Sequence, residues 1–149
     1  MAHQSDSTEQ RDAEAIILAA LSETLGQALT PTRVTLPGGA KVEVDGAASD
    51  PPVFVEVFAH QGRLRGGQFH KVSTDALKLI TVREATPGAR LILAFADEAA
   101  ARPMLGTSWR AEALRLWNIE VVVVDIDDET RRSITEAQVR QRMVNPDSA

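Results

Sequence analysis

Two acidic residues stand where a carboxylate could bind a metal ion. Asp45 ends a short β-type run just before Gly46, and Glu56 interrupts the apolar run Val53–Phe58. Burying an ionised carboxylate without a partner costs several kcal/mol, so a glutamate in so apolar a segment needs a reason. On adjacent strands the two groups could share one divalent ion, because Mg²⁺ favours oxygen ligands and keeps several waters. The alternative is that Glu56 faces solvent from a half-covered strand.

Glu14 is a third candidate acid. Helical spacing puts it on the same stripe as Leu18, Leu21 and Leu25, so its carboxylate could reach the site from the first helix. Alternatively, Glu14 lies near the exposed start of that helix and only interacts favourably with the helix dipole.

Basic residues cluster in the middle of the chain. The segment 60–90 has six Lys or Arg and two Asp or Glu, a local charge of 6 − 2 = +4, whereas the whole chain carries −5. Arg63 and Arg65, beside Gly66 and Gly67, form a flexible basic segment that could bind phosphate oxygens. The alternative is a solvated connector. The acidic net charge argues against a protein that coats nucleic acid by bulk charge.

Composition limits the classes of protein and site. A chain of 149 residues is the usual size of one domain, and 44% hydrophobic with 25% charged residues is ordinary globular composition. The absence of cysteine excludes disulfides, thiolate nucleophiles and cysteine-ligated metal sites. We expect residues 1–8 and 145–149 to be tails around one domain, 9–144. With no signal peptide or membrane span in the sequence, we expect a cytoplasmic protein.

The elements that would position the acids follow from periodicity and turn residues. Helices are predicted at about 9–26, 68–84, 107–117 and 133–143, and strands at 33–36, 41–45, 53–58, 90–95 and 120–125, with a loop over 46–52. The order α-β-β-β-α-β-α-β-α predicts an α/β fold: a single three-layer domain with a mixed central β-sheet flanked by helices. The apolar third strand is expected to be central.

This order resembles the core of the PD-(D/E)XK nuclease superfamily, the restriction-endonuclease-like fold. The matching pieces are Val42-Glu-Val-Asp45-Gly46, Val55-Glu56-Val-Phe58 and Gln68-Phe-His-Lys71, within about residues 9–97. The resemblance implies that Asp45 and Glu56 bind Mg²⁺, for which Mn²⁺ can substitute, and that Glu14 is the accessory acid of the first helix.

The chain departs from the family pattern at one position. A lysine usually stands two residues after the glutamate, where this chain has Phe58. Some members supply the basic group from the following helix, so Lys71 is the substitute, with Gln68 as an accessory residue one turn earlier. A regular helix from Gln68 would point Lys71 away from the apolar stripe, whereas a cap at Ser73 would leave it free to turn inward. Lys78 is expected to be a solvated helix residue.

The resulting hypothesis is a metal-dependent nuclease that hydrolyses phosphodiester bonds, with DNA the favoured nucleic acid. The alternative is a catalytically degraded member that binds nucleic acid or a protein partner without cleavage. A third interpretation places the function at the acidic run Asp125–Glu129, which is otherwise expected to cap the last helix. Specificity could come from a homodimer, another chain or nucleic-acid shape.

Overall fold

The computed structural model describes residues 4–144, with side chains from residue 8 onward. Its helices and strands are, in chain order, α1 Gln4–Leu25, β1 Thr30–Thr35, β2 Lys41–Ser49, β3 Pro52–Phe58, α2 Gly67–Ala85, β4 Arg90–Phe95, α3 Glu98–Leu105, α4 Trp109–Leu116, β5 Ile119–Val123 and α5 Asp128–Val144. The predicted class is confirmed: these residues form a single α/β domain with a mixed sheet.

The five strands lie side by side in chain order, β1-β2-β3-β4-β5. The β1–β2 and β2–β3 pairs are antiparallel, and the β3–β4 and β4–β5 pairs are parallel. Both parallel crossovers carry their helices on one face of the sheet, where α2, α3 and α4 build one apolar layer. Helices α1 and α5 cover the other face. The sheet is therefore buried on both sides, as parallel strands require.

Strand β3 is central, as its apolar sequence predicts. Phe54 and Phe58 face the α2 layer, and Val53, Val55 and Val57 face α1 and α5. Since side chains alternate along a strand, Glu56 belongs to the α2 face. The only charged residue of β3 thus points into a core layer.

Strand β2 is longer than its sequence indicates. The predicted loop over residues 46–52 is wrong at its start, because pairing with β3 continues through Gly46 and Ala47 to Ser49. Glycine and alanine have low intrinsic strand propensity, and here the packing decides. A β-carbon at Gly46 would lie 2.4 Å from Leu18 Cδ1, so the small residue lets α1 pack closely on β2.

The helices differ from expectation at two places. Helix α3 was not predicted, because Pro103 in its last turn reads as a helix breaker. Helix α1 begins at Gln4, within the segment predicted to be a tail, whereas residues 1–3 and 145–149 lie outside the described residues. Over residues 4–144, no helix combines the length and apolarity needed to cross a membrane.

Candidate active site

A β-bulge in β2 sets the position of Asp45. The β1–β2 register changes from Thr30↔Ala47 to Thr32↔Val44. Strand β2 therefore advances by three residues over a stretch in which β1 advances by two. The extra residue falls at Asp45–Gly46. Bulges bend a strand and re-aim its side chains, and they are frequent next to active sites. Here the bulge turns Asp45 towards the neighbouring strand β3.

The carboxylate of Asp45 replaces a backbone partner of β3. Regular β2–β3 pairing ends at Gly46↔Val55. Beyond it, the backbone N–H of Val57 donates to Asp45 Oδ2 at 2.8 Å. This bond fixes one oxygen of Asp45 beside Glu56, so the two carboxyl groups lie on adjacent strands and approach one another, as predicted.

Glu56 is deeply buried. Only 1% of the residue is exposed, so the alternative of a solvent-facing glutamate is wrong. Its Oε1 contacts the ammonium of Lys78 but has no hydrogen bond of acceptable geometry, and the carboxyl group of Asp45 is close enough to influence its titration. Burial, and then the proximity of Asp45, raise the pKa of Glu56 to about 8 despite Lys78. Near neutral pH the site therefore holds a proton that a cation could displace.

Lys78 is not a solvated helix residue, and that expectation is wrong. Its ammonium contacts Glu56, donates to the backbone carbonyl of Glu43 at 3.0 Å and lies 3.9 Å from Asp75. Its side chain is 26% exposed. The aliphatic stem of lysine can cross apolar surface while the ammonium reaches a polar partner, and this lets a charged residue point towards the sheet.

Lys71 lies on the same stripe of α2, one helical turn before Asp75. Its ammonium is 2.9 Å from Asp75 Oδ2 and 4.7 Å from the centre of the Phe58 ring, and its side chain is 53% exposed. Helix α2 is regular from Gly67, and the hydroxyl of Ser73 donates to the Phe69 carbonyl inside the helix. The alternative of a cap at Ser73 is therefore wrong, and the Lys71 ammonium lies over Phe58 from a regular helix.

Glu14 stands on α1 opposite these groups and is half-buried. Burial and then the charge of Asp45 raise the pKa of Glu14, while Gln10, Lys71 and Arg11 act in the opposite direction. Because α1 begins at Gln4, Glu14 does not stand at the start of the helix, and it lines a cavity between the helices. It is close enough to sense both Asp45 and Lys71.

The loop after β3 is held by hydrogen bonds of Gln68. Gln68 Oε1 accepts from the backbone N–H of Arg65 at 2.9 Å, and its amide nitrogen lies 3.0 Å from His60 Nδ1. His60 Nε2 lies 3.2 Å from the Arg63 carbonyl. Because burial, ahead of the other effects, lowers the pKa of His60, neutral His60 accepts from Gln68 and donates to Arg63. Both arginine residues of the loop are exposed.

A cavity of about 270 Å³ opens beside Lys71, between α1, α5 and the carboxyl end of β3. We call it the α1–α5 cavity. Its apolar floor is made by Val57, Phe58, Ala59, Leu64, Ile134 and Ala137. Its polar wall is made by Glu9, Gln10, Glu14, His60, Gln68, Lys71, Gln138 and Gln141. Three of the predicted site residues therefore line one cavity, namely Glu14, Gln68 and Lys71.

The arrangement of the carboxylates shows which of them could bind a metal ion. Among the described residues, no group of three or more His, Asp and Glu side chains converges closely enough to hold a metal ion. Asp45 and Glu56 form a close pair, and Glu14 stands further away. Two carboxylates completed by water are a normal Mg²⁺ environment. The buried oxygen of Glu56, with its raised pKa, fits a cation-binding role.

Asp75 and Lys78 were missed as site residues. Their signal was the spacing of Lys71, Asp75 and Lys78 at i, i+4 and i+7, which places three charged residues on one helical stripe. By contrast, the acidic run after β5 does what its position predicts: Asp127 Oδ1 accepts from the Thr130 backbone N–H at 2.7 Å at the start of α5.

Comparison with protein-family models, with curated proteins and with solved structures finds no match. The function is therefore argued from this site.

Proposed function

We propose that the protein is a cytoplasmic, metal-dependent nuclease whose substrate is a nucleic acid, with DNA favoured. The observation that carries the proposal is the pairing of Asp45 with Glu56 at the bulged end of β2 and β3. Two neighbouring carboxylates repel one another when both are ionised, so an arrangement of this kind favours a cation or a shared proton. The resemblance to the PD-(D/E)XK superfamily points to the same pair.

Asp45 and Glu56 are the residues that would hold Mg²⁺ or Mn²⁺. Such an ion polarises a phosphate and lowers the pKa of a bound water. Asp45 is oriented by the Val57 N–H, and Glu56 is oriented by Lys78. These contacts to the proposed ligands matter because a carboxylate that is already held in position loses little conformational entropy when it binds a metal. Lys78 is thus a positioning residue for Glu56.

Lys71 is the cation that a substrate could reach. Its side chain is twice as exposed as that of Lys78, it lines the α1–α5 cavity, and its charge lowers the pKa of Glu14. We assign it the stabilisation of negative charge on the scissile phosphate, the role that Phe58 cannot fill. Asp75 holds Lys71 through a 2.9 Å ion pair.

Positive charge surrounds the opening of this site. Arg63 and Arg65 are exposed on the loop after β3, and Arg65 and Arg142 both act on His60 in the cavity wall. Arginine binds phosphate oxygens in a bidentate manner. A strand of nucleic acid could therefore lie along this loop while the overall chain stays acidic.

One observation favours the second candidate, a catalytically degraded protein that binds nucleic acid or a protein partner without cleavage. Lys78 already gives Glu56 a positive partner, and Phe58 occupies the usual lysine position. If Lys78 fills the place of the cation permanently, the basic surface remains while hydrolysis is lost.

Cleavage assays separate the two candidates. The purified chain is incubated with single-stranded, duplex and branched DNA and with RNA, in Mg²⁺, Mn²⁺ or EDTA. We expect metal-dependent cleavage of at least one substrate, reduced at least ~100-fold in Glu56→Gln because the amide keeps the shape but lacks the charge. Glu43→Gln is the matched control, since Glu43 is an exposed carboxylate of β2.

The outcomes are distinct. Cleavage that survives in Glu56→Gln would overturn the assigned site. Binding of nucleic acid without cleavage in either metal would support the degraded alternative.

A further inference from the structure

The α1–α5 cavity extends beyond the groups assigned to metal and phosphate, because Asp45 and Glu56 lie outside its lining and Lys71 is only one of its lining residues. Its floor is apolar and includes the aromatic ring of Phe58, while its wall carries several side-chain amides. An apolar slot with amide groups at its edge suits a flat heteroaromatic ring rather than a hydrated ion. The cavity therefore calls for a ligand of its own.

The cavity is large enough for a single ring system. It has about 270 Å³ of free space, and its apolar lining residues offer a surface on which a planar ring could pack. Enzymes acting on extruded nucleotides hold one nucleobase in a close-fitting pocket.

The polar wall offers hydrogen bonds to the edge of a base. Within the described part of the chain, the Gln141 amide makes no hydrogen bond, so both its donor and its acceptor are available. Gln138 bonds the backbone of Gln61 at 2.7 and 3.0 Å, and this fixes the wall beside it. A base has ring nitrogens and exocyclic groups that can pair with such an amide.

The neighbours of the cavity suit the rest of a nucleotide. Lys71 lies in the wall, with its ammonium over Phe58 and within reach of Glu14. A base on the cavity floor would therefore bring its own phosphate towards Lys71 and the exposed arginine loop. We propose that the α1–α5 cavity binds one unpaired nucleobase and that the substrate is a nucleic acid with an unpaired nucleotide at the cleavage site. The second half of this proposal rests on the proposed nuclease function.

Binding is tested without cleavage, in EDTA, with duplex DNA that contains the fluorescent base 2-aminopurine. One duplex pairs 2-aminopurine with thymine, and the other places it opposite an abasic site. We expect at least ~10-fold tighter binding of the unpaired form, because a paired base must first be unstacked at a cost of a few kcal/mol. A change in 2-aminopurine emission should accompany binding of the unpaired form only.

Two variants address the cavity and one serves as control. Ala137→Trp fills the floor and should reduce the preference to about one while leaving affinity for the paired duplex unchanged. Gln141→Leu, which is less disruptive to α5, should weaken the preference in part. Val139→Trp places the same side chain on the exposed side of α5 and should behave like the original chain.

The results distinguish this inference from the proposed function. Equal binding of both duplexes, or a preference that persists in Ala137→Trp with its helical spectrum intact, would overturn the base pocket while metal-dependent cleavage could stand. A preference lost in Ala137→Trp, from a chain that cleaves nothing, would support the pocket and overturn the nuclease. Calorimetric titration with nucleoside monophosphates gives a second reading, and only the Ala137→Trp variant should lose the heat of binding.

Discussion

The Lys78 ammonium on α2 contacts the Glu56 carboxyl group on the central strand. The contact joins the one charged side chain of β3 to a helix that buries Asp75 together with four apolar residues. Lys78 lowers the pKa of Glu56, yet burial and Asp45 outweigh it and the pKa is raised to about 8. The site thus contains more negative groups than its own cation satisfies.

This raised pKa predicts how stability depends on pH in the absence of metal. Glu56 ordinarily titrates at 4.5, and in the folded state at about 8. Between these values the folded protein binds a proton that the unfolded chain has lost. The contribution of this proton to stability is therefore fully present below about pH 4.5 and is lost as the pH rises towards 8, by at most about 1.4 kcal/mol per pH unit.

Urea unfolding at pH 5, 6, 7 and 8 in EDTA measures this dependence. Glu56→Gln should flatten the curve, since the amide does not titrate, whereas Glu43→Gln should leave it unchanged. Bound Mg²⁺ must displace the same proton, so its affinity should rise with pH. Parallel stability curves for the original chain and Glu56→Gln would contradict the assignment of the raised pKa.

The apolar patterns of the sequence predicted most of this fold. The run Val53–Phe58 gave the central strand, and the two parallel crossovers followed from the alternation of helices and strands after it. Gly46 and Ala47 did not read as strand, because their place in β2 depends on close packing against Leu18 rather than on propensity. This close packing is a property of the tertiary structure, and strand propensity does not reveal it.

The sequence indicated the candidate acids and only some of the candidate bases. Glu56 was visible because it interrupts an apolar strand, and Asp45 because it ends a β-type run before Gly46. Lys78 was expected to be solvated, because its residue type does not show that its ammonium reaches a carboxyl group buried on another element. The long aliphatic stem of Lys78 allows its ammonium to contact Glu56. Asp75 lies between the two lysines in the sequence and forms an ion pair with each of them.

Substitution of Lys71 and substitution of Lys78 should therefore have different effects on cleavage and metal binding. Lys71→Met is expected to lower the cleavage rate ~100-fold or more with little change in Mn²⁺ affinity, because it removes charge at the phosphate and not at the metal ligands. Lys78→Met is expected to raise the pKa of Glu56 further, since it removes the group that favours the ionised form, and to change Mn²⁺ affinity, since it removes the positive charge that contacts a proposed metal ligand.

Metal titration and single-turnover cleavage measure both effects on the same preparations. Lys41→Met is a control on the exposed start of β2. Equal losses of rate in all three variants, or a Lys78 variant with unchanged metal affinity, would contradict this division of roles.

Close packing at the bulge gives a prediction about stability. A β-carbon on Gly46 would come 2.4 Å from Leu18 Cδ1, so Gly46→Ala must displace a buried leucine methyl. We expect a loss of about 1–3 kcal/mol in the free energy of unfolding, the usual cost of overpacking. In a Leu18→Ala background the same substitution should cost less. Additive effects in this double-mutant cycle would show that the two residues do not compete for space.

The exposed arginine residues after β3 give a prediction that depends on salt. If Arg63 and Arg65 each neutralise a phosphate, binding of duplex DNA should weaken with salt, and each contact should contribute about 0.9 to the slope of log affinity against log salt. Arg63→Ala with Arg65→Ala should lower that slope by about two and weaken binding of all sequences alike. Arg90→Ala removes an exposed charge from the start of β4, which pairs with Val53 five residues before Phe58 and so lies about 16 Å from the end of β3 where the loop begins. It should leave the slope unchanged, because a surface charge more than a Debye length of roughly 8–10 Å from the nucleic acid is largely screened. A slope that falls equally in both variants would mean that the chain binds DNA through diffuse charge, and the loop after β3 would lose its assigned role.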